Sequence, residues 1–112
     1  MAKVTPVGSG PTYPLDRIKQ LLDAGACVVT GKAEQDARSE LGLARSAVEQ
    51  CVRALSPSDF YKTMPSEKVP GLYQDVYRPV FRTPFHQGGI EVYCKVQINK
   101  QGKAVIVAFK LL

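Results

Sequence analysis

The chain has 112 residues, with 15 Lys and Arg against 10 Asp and Glu, and a formal net charge of +5. This length supports one domain with its own core, and 45% hydrophobic with 22% charged residues is typical of globular proteins rather than disordered or fibrous ones. No apolar run approaches the ~20 residues of a membrane span, and the N-terminus lacks a signal-peptide core. We therefore expect a cytoplasmic protein without membrane association. The odd count and wide spacing of Cys27, Cys51 and Cys94 indicate reduced core thiols, not disulfides or a zinc site.

The net positive charge lies in the second half of the chain. Basic and acidic residues balance through Phe60, whereas eight basic residues accompany three acidic ones from Tyr61 onward. Eight of the nine aromatic residues also lie from Phe60 onward. Basic and aromatic side chains together are typical of proteins that bind single-stranded nucleic acid. A basic solvated face beside an aromatic core gives the same pattern, so both interpretations stay open here.

Helical signals dominate the first half. Residues 1–12 are rich in Gly and Pro and predict a flexible lead-in, and residues 13–112 predict a single domain. Apolar residues at helical spacing predict helices over residues 14–25, 30–42 and 44–55, the second of them short and thinly apolar. The run Ser56-Pro57-Ser58-Asp59 predicts a further helix start, and a short helix carrying Phe60, Tyr61 and Lys62 would end near Pro65.

The second half changes to strand-like alternation. Strands are predicted over residues 73–81, 90–98 and 103–111, with a loop over residues 82–89. Helices followed by strands predict an α+β fold, with the N-terminal helices packed on one face of a small C-terminal antiparallel sheet.

The last two strands form a predicted hairpin whose register follows from burying one apolar face. Pairing Ile98 with Lys103 makes one face wholly apolar. The other face then carries a mainly polar set with two small residues, which are Glu91, Tyr93, Lys95, Gln97, Ala104, Ile106, Ala108 and Lys110. Simple exposure to solvent would also explain such a face.

Two motifs resemble a known family. The chain carries S-x-S-D-F-Y-K-x-M over residues 56–64 and Q-D-V-Y-R-P over residues 74–79. It resembles the MqsR family of bacterial toxins over roughly residues 15–110. The resemblance implies a RelE-like fold and an endoribonuclease of a type II toxin–antitoxin system. Such an enzyme cleaves mRNA sequence-selectively, without the ribosome, and no cofactor or metal is expected.

The family also implies a partner and site residues. The partner is a cognate zinc-binding helix-turn-helix antitoxin (MqsA-like), and DNA is contacted only indirectly through the antitoxin complex. The motifs place the catalytic set at Lys62, Gln74, Tyr93 and Lys110. Arg78 and Lys95 are predicted substrate-binding residues. Arg78 could equally bridge to Asp75 or Glu67, and Tyr61 and Tyr77 are expected to pack rather than to stack on bases.

The residue types suit metal-free RNA cleavage, in which the ribose 2′-OH attacks the adjacent phosphate. This reaction needs a base, an acid and positive charge on the phosphate oxygens. Lysines supply charge, and one acts as a base only if its pKa is lowered; the residue types leave the acid and base assignments open. A non-catalytic RNA-binding module with the same fold is the alternative. The lone His86, in the predicted loop, is a weaker acid–base candidate.

Overall fold

The computed structural model of the protein describes residues 10–112. Residues 1–9 of the predicted lead-in lie outside the described residues, and its flexibility stays a prediction. At the end of this segment, the backbone N–H groups of Thr12 and Tyr13 donate to the two carboxylate oxygens of Asp75, at 2.9 and 2.8 Å. The Asp75 side chain is fully buried.

Within residues 10–112, three helices form where the apolar spacing predicts them. They are α1 (Leu15–Asp23), α2 (Gly31–Leu41) and α3 (Arg45–Arg53). The Thr30 hydroxyl caps α2 by accepting from the Ala33 N–H at 3.1 Å, and Gly42 ends it in the left-handed conformation with φ of 69°. Although its apolar stripe is thin, α2 is the longest helix, because Ala33, Ala37 and Leu41 pack closely against the sheet. No helix within residues 10–112 is long and apolar enough to cross a membrane.

In the part of the chain that the structure describes, six strands build the sheet. They are β1 (Cys27–Val29), β2 (Phe60–Pro65), β3 (Tyr73–Tyr77), β4 (Val80–Thr83), β5 (His86–Ile98) and β6 (Ala104–Leu111). The order is β1-β6-β5-β3-β2, with β4 paired to the first part of β5. Only β1 runs parallel to its neighbour β6. The α+β class is confirmed, and the core lies between the helices and one sheet face.

The predicted short helix after Ser56 is wrong. Its capping box forms, with the Ser56 N–H donating to Asp59 Oδ2 at 2.8 Å, but it supports only one 3-10 turn over Pro57–Asp59. The motif that carries Lys62 then continues as β2 and pairs with β3. Two tertiary interactions outweigh the local helical signal. The segment pairs with β3, and Phe60 packs edge-on against Tyr77 with ring centroids 5.7 Å apart.

The predicted strand over residues 73–81 is also wrong in its extent. It breaks at Arg78 and Pro79, because proline cannot donate to a sheet ladder. The predicted loop over residues 82–89 is the tip of a β4–β5 hairpin, with His86 already in β5. The short strand β1 was not predicted, since three residues carry almost no periodicity.

The hairpin register differs from the predicted one. Ile98 pairs with Ala104, not with Lys103, and Val107 is an extra residue in β6 opposite the step from Lys95 to Val96. This bulge reverses the alternation along β6. Ala104 and Ile106 therefore lie in the core, whereas Ala108 and Lys110 keep their predicted side.

Candidate active site

The sheet face opposite the helices, called here the outer face, collects the chemistry-bearing side chains. Directly opposed residues of paired strands project to the same side. Lys62 pairs with Val76, Val76 with Lys95, and Lys95 with Ala108, which makes one row across four strands. Other side chains on this face are Met64, Gln74, Tyr93, Gln97, Val105 and Lys110.

Two β-bulges create this face. In β2, Tyr61 is the extra residue between Phe60, paired with Tyr77, and Lys62, paired with Val76. The bulge lets Phe60 point into the core while Lys62 points outward. The bulge at Val107 does the same for Ile106 and Ala108 in β6. In each bulge, the extra residue lies between one residue that points into the core and one that points to the outer face.

The Tyr93 ring lies among cationic groups. Lys110 pairs directly with Tyr93, and its Nζ lies 5.2 Å from the ring centroid. The Lys95 Nζ lies 6.0 Å from the same centroid. Both contacts are within the range of cation–π attraction. The arrangement places two ammonium groups around one phenol ring.

The surroundings tune the proton affinity of two of these groups. Burial, and then the charge of Tyr61, raises the pKa of the Tyr93 phenol above its ordinary value. Burial also lowers the pKa of the Lys95 ammonium. Glu67 opposes that second shift, while Lys110 and Lys62 add to it because like charges disfavour a third cation. Tyr93 therefore keeps its proton more firmly than a free tyrosine, and Lys95 gives up its proton more readily than a free lysine.

Gln74 is held in a defined orientation. It is only 8% exposed, and its Nε2 donates to the Gln97 Oε1 at 2.7 Å. Its neighbour in sequence, Asp75, points to the opposite face and binds the backbone of Thr12 and Tyr13. The Q-D pair thus presents one polar side chain to each face of β3.

Arg78 lies beside this face rather than in an ion pair. Its guanidinium carbon is 4.6 Å from the Tyr61 ring centroid, and the Lys62 Nζ is 5.6 Å from that centroid. Tyr61 is 50% exposed, so the expectation that it packs is wrong, whereas Tyr77 does pack and is 1% exposed. In residues 10–112 the three ion pairs involve Lys32, Arg45 and Arg53. The alternative bridge from Arg78 to Asp75 or Glu67 does not form.

His86 lies in the β4–β5 hairpin, and its Nδ1 is hydrogen-bonded to the Thr83 hydroxyl at 2.7 Å. Within it, β4 pairs with the first residues of β5, and Gln97 lies near the other end of that strand. Among the described residues, no three His, Cys, Asp or Glu side chains are grouped as a metal site would need. The polar side chains around Tyr93 on the outer face are lysines and carboxamides.

All four predicted catalytic residues and Lys95 lie on the outer face, and Arg78 lies at its border. Sequence reasoning missed Gln97, which appeared only as one polar residue on a strand. It also missed the exposed Tyr61 ring. The bulge that exposes Tyr61 depends on pairing with a distant strand, so no local signal marks it.

Comparison with known proteins agrees with the motifs. The family model described as "Motility quorum-sensing regulator, toxin of MqsA" matches residues 10–111. The "mRNA interferase toxin MqsR" of Escherichia coli (strain K12) is 35% identical over 100 residues, which cover 89% of this chain and 93% of that protein. The match extends over all six strands that build the outer face.

Proposed function

The chain belongs to the MqsR toxin family, and from this premise we propose that it is an endoribonuclease, the toxin of a type II toxin–antitoxin system, that cleaves single-stranded mRNA on the outer face. The observation that carries the proposal is the position of Tyr93 between Lys95 and Lys110, with Lys62 in the same row as Lys95. Sheet strands lie ~4.8 Å apart, so the Cα atoms of Lys62 and Lys95 are separated by ~10 Å. Their long side chains can converge on one phosphate group.

The reaction is cleavage by the substrate's own ribose. The 2′-oxygen forms a bond to the adjacent phosphorus, and the bond from phosphorus to the 5′-oxygen breaks. A base takes the 2′-OH proton, an acid gives a proton to the departing 5′-oxygen, and the products are a 2′,3′-cyclic phosphate and a 5′-hydroxyl. Lysine and tyrosine side chains can supply all of these functions, so the proposed mechanism needs no metal ion. Cleavage without the ribosome is what the family resemblance implies.

The geometry supports a division of roles. Lys62 and Lys110 stabilise the negative charge that develops on the phosphate oxygens. Tyr93 is the proton donor to the 5′-oxygen, since its hydroxyl, with a raised pKa, is present in the protonated form that a donor needs. Lys95 contacts phosphate and, because its pKa is lowered, is also the lysine best suited to take the 2′-OH proton. Gln74, fixed by Gln97, donates or accepts a hydrogen bond at the substrate.

The partner follows from the family. We propose a cognate zinc-binding helix-turn-helix antitoxin that covers the basic half of the chain, so that DNA is contacted only through the complex. Residues from Tyr61 onward carry all of the net +5 charge. An inhibitor with acidic or polar surface would therefore be attracted to that half.

The test is cleavage of a synthetic single-stranded RNA by the purified toxin in EDTA, without ribosomes. We expect 2′,3′-cyclic phosphate ends by mass spectrometry, and growth arrest on expression that Lys62→Ala relieves. Cleavage that EDTA abolishes and Mg²⁺ restores would contradict the metal-free mechanism. RNA binding without cleavage would instead identify the chain as a binding module.

A further inference from the structure

A second row of side chains crosses the sheet beside the row of lysines on the outer face. Beyond the last pair of β3 and β5, the Val92 N–H donates to the Pro79 carbonyl at 3.0 Å, so the register of β3 continues along β5. This register places Arg78 directly opposite Tyr93, which pairs in turn with Lys110. Directly opposed residues project to the same side of a sheet. Arg78, Tyr93 and Lys110 therefore form one row that ends at the border of the outer face.

Tyr61 lies at the Arg78 end of this row. The Arg78 N–H donates to the Asp59 carbonyl at 2.8 Å, which fixes the backbone of Arg78 against the residue that precedes β2. The Arg78 guanidinium carbon then lies 4.6 Å from the centroid of the Tyr61 ring. Tyr61 is also close enough to Tyr93 for its charge to contribute to the raised pKa of that phenol. Aromatic and cationic side chains thus alternate along the row, in the order Tyr61, Arg78, Tyr93, Lys110.

The Tyr61 ring is both held and accessible. Tyr61 is the extra residue of the β2 bulge, so its ring is not placed in the core as Phe60 is. Half of the Tyr61 side chain is exposed, at 50%. Contact with the Arg78 guanidinium, in the range of cation–π attraction, restricts the orientation of the ring. A ring that is already oriented loses little conformational entropy when a flat partner packs on its accessible surface.

The chemistry of this place fits a nucleotide. A base stacks on an aromatic ring, and the phosphates beside it are attracted to arginine and lysine side chains. Strand β3 lies between β2 and β5, so Tyr61 and Tyr93 are two strand spacings apart, or ~10 Å. An RNA whose cleaved phosphate lies at Tyr93 can therefore place a neighbouring base on the Tyr61 ring. Every base has a π face, so this contact adds affinity without choosing the base.

We propose that Tyr61 is a stacking platform for a base next to the cleaved bond, and that Arg78 is the positioning residue that orients its ring. The proposal rests on the proposed ribonuclease function and adds to it a subsite that holds the RNA strand whatever base it presents there.

The first experiment measures stacking without cleavage. Single-stranded oligonucleotides in which fluorine replaces every 2′-OH lack the attacking group, and 2-aminopurine, whose fluorescence falls when it stacks, is placed at successive positions. We expect the protein to quench one position strongly, and Tyr61→Phe, which keeps the ring, to quench it as well. Tyr61→Leu should lose the quenching and bind about 5- to 150-fold more weakly, the range for one stacked base. Phe85→Leu is the control, because Phe85 is 87% exposed at the tip of the β4–β5 hairpin, and it should bind like the wild type.

The second experiment separates stacking from chemistry. A base that is stacked equally in the ground state and in the transition state lowers KM and leaves kcat unchanged. Tyr61→Leu should therefore raise KM for cleavable RNA by the same factor by which it weakens binding, with little change in kcat. The rise in KM should be similar for RNAs that carry any of the four bases at the quenched position.

The third experiment tests the role of Arg78. Arg78→Lys keeps the positive charge but loses the planar group that packs on the Tyr61 ring. If Arg78 acts through Tyr61, Arg78→Lys should weaken RNA binding in the wild type and have little further effect in Tyr61→Leu, which a double-mutant cycle measures. Additive losses would show that Arg78 contacts the RNA by itself, and would overturn its assignment as a positioning residue.

The remaining outcomes separate the stacking platform from the ribonuclease function. Quenching that persists in Tyr61→Leu, a loss confined to one base, or a fall in kcat at constant KM would each overturn the platform. Quenching that depends on Tyr61 in a protein that cleaves no RNA would overturn the proposed ribonuclease function and leave the platform standing.

Discussion

Tyr93 combines two features of the candidate site. Its ring lies near the ammonium groups of Lys95 and Lys110, and its hydroxyl is the proposed proton donor. If its hydroxyl acts only in the transition state, Tyr93→Phe keeps the ring and its contacts with Lys95 and Lys110 but removes the proton. We expect the cleavage rate to fall ~10²- to 10³-fold, as for loss of one preorganised donor, with RNA affinity almost unchanged. Single-turnover kinetics and an equilibrium binding assay measure the two quantities. An equal loss in both would assign Tyr93 to substrate binding.

Lys95 gives the reaction its expected pH dependence. A lysine acts as a base only when neutral, and the neutral fraction grows as pH rises towards the pKa. Because burial lowers the pKa of Lys95 from its ordinary 10.5, the rate should rise with pH earlier than an ordinary lysine would allow. In Lys95→Arg the guanidinium keeps the phosphate contact but stays protonated, so the rise of the cleavage rate with pH should disappear. If the rise of the cleavage rate with pH persists in Lys95→Arg but is lost in Lys62→Arg, Lys62 and not Lys95 is the base.

At the scale of elements, the bulge in β6 gives two alanines of one strand opposite environments. Ala104 is 1% exposed in the core, whereas Ala108 is half-buried on the outer face beside Lys95. Ala104→Phe should destabilise the fold by about 1–3 kcal/mol or more through overpacking. Ala108→Phe should leave the melting temperature nearly unchanged and block RNA. Thermal unfolding and RNA binding of both variants check this, and equal destabilisation would contradict the bulge.

The same element shows what the sequence could and could not predict. Periodicity and caps predicted all three helices, and burial of Val92, Cys94 and Val96 followed from alternation in β5. The two bulges were missed, since an extra residue becomes visible only when the partner strand is known. At Phe60 to Lys62, local helix signals competed with sheet pairing, and pairing was stronger. The catalytic set was predicted through the family motifs, whereas Gln97 required the hydrogen bond to Gln74.

At the scale of the whole molecule, the net charge is distributed unequally between the two halves of the chain. The half that carries the proposed RNA surface holds the net +5, and the first 60 residues are neutral. Association with the proposed antitoxin should therefore slow as salt rises, because screening shortens the reach of the attraction. Stopped-flow association between about 0.05 and 0.5 M salt tests this, with Lys32→Ala as a control outside the basic half. A rate independent of salt would contradict an electrostatic encounter.

The parallel pairing of β1 with β6 has a consequence for how the chain acquires its structure. The Thr30 hydroxyl donates to the Val107 carbonyl across 77 residues of sequence, and Cys27 pairs with Ala104. Such distant pairings slow folding, because loop-closure entropy is lost before the contacts form. During synthesis β1 must wait, unpaired, until β6 has left the ribosome. Lys110, one of the proposed catalytic residues, lies in that same strand, so the proposed active site becomes complete only when β6 has paired with its neighbours.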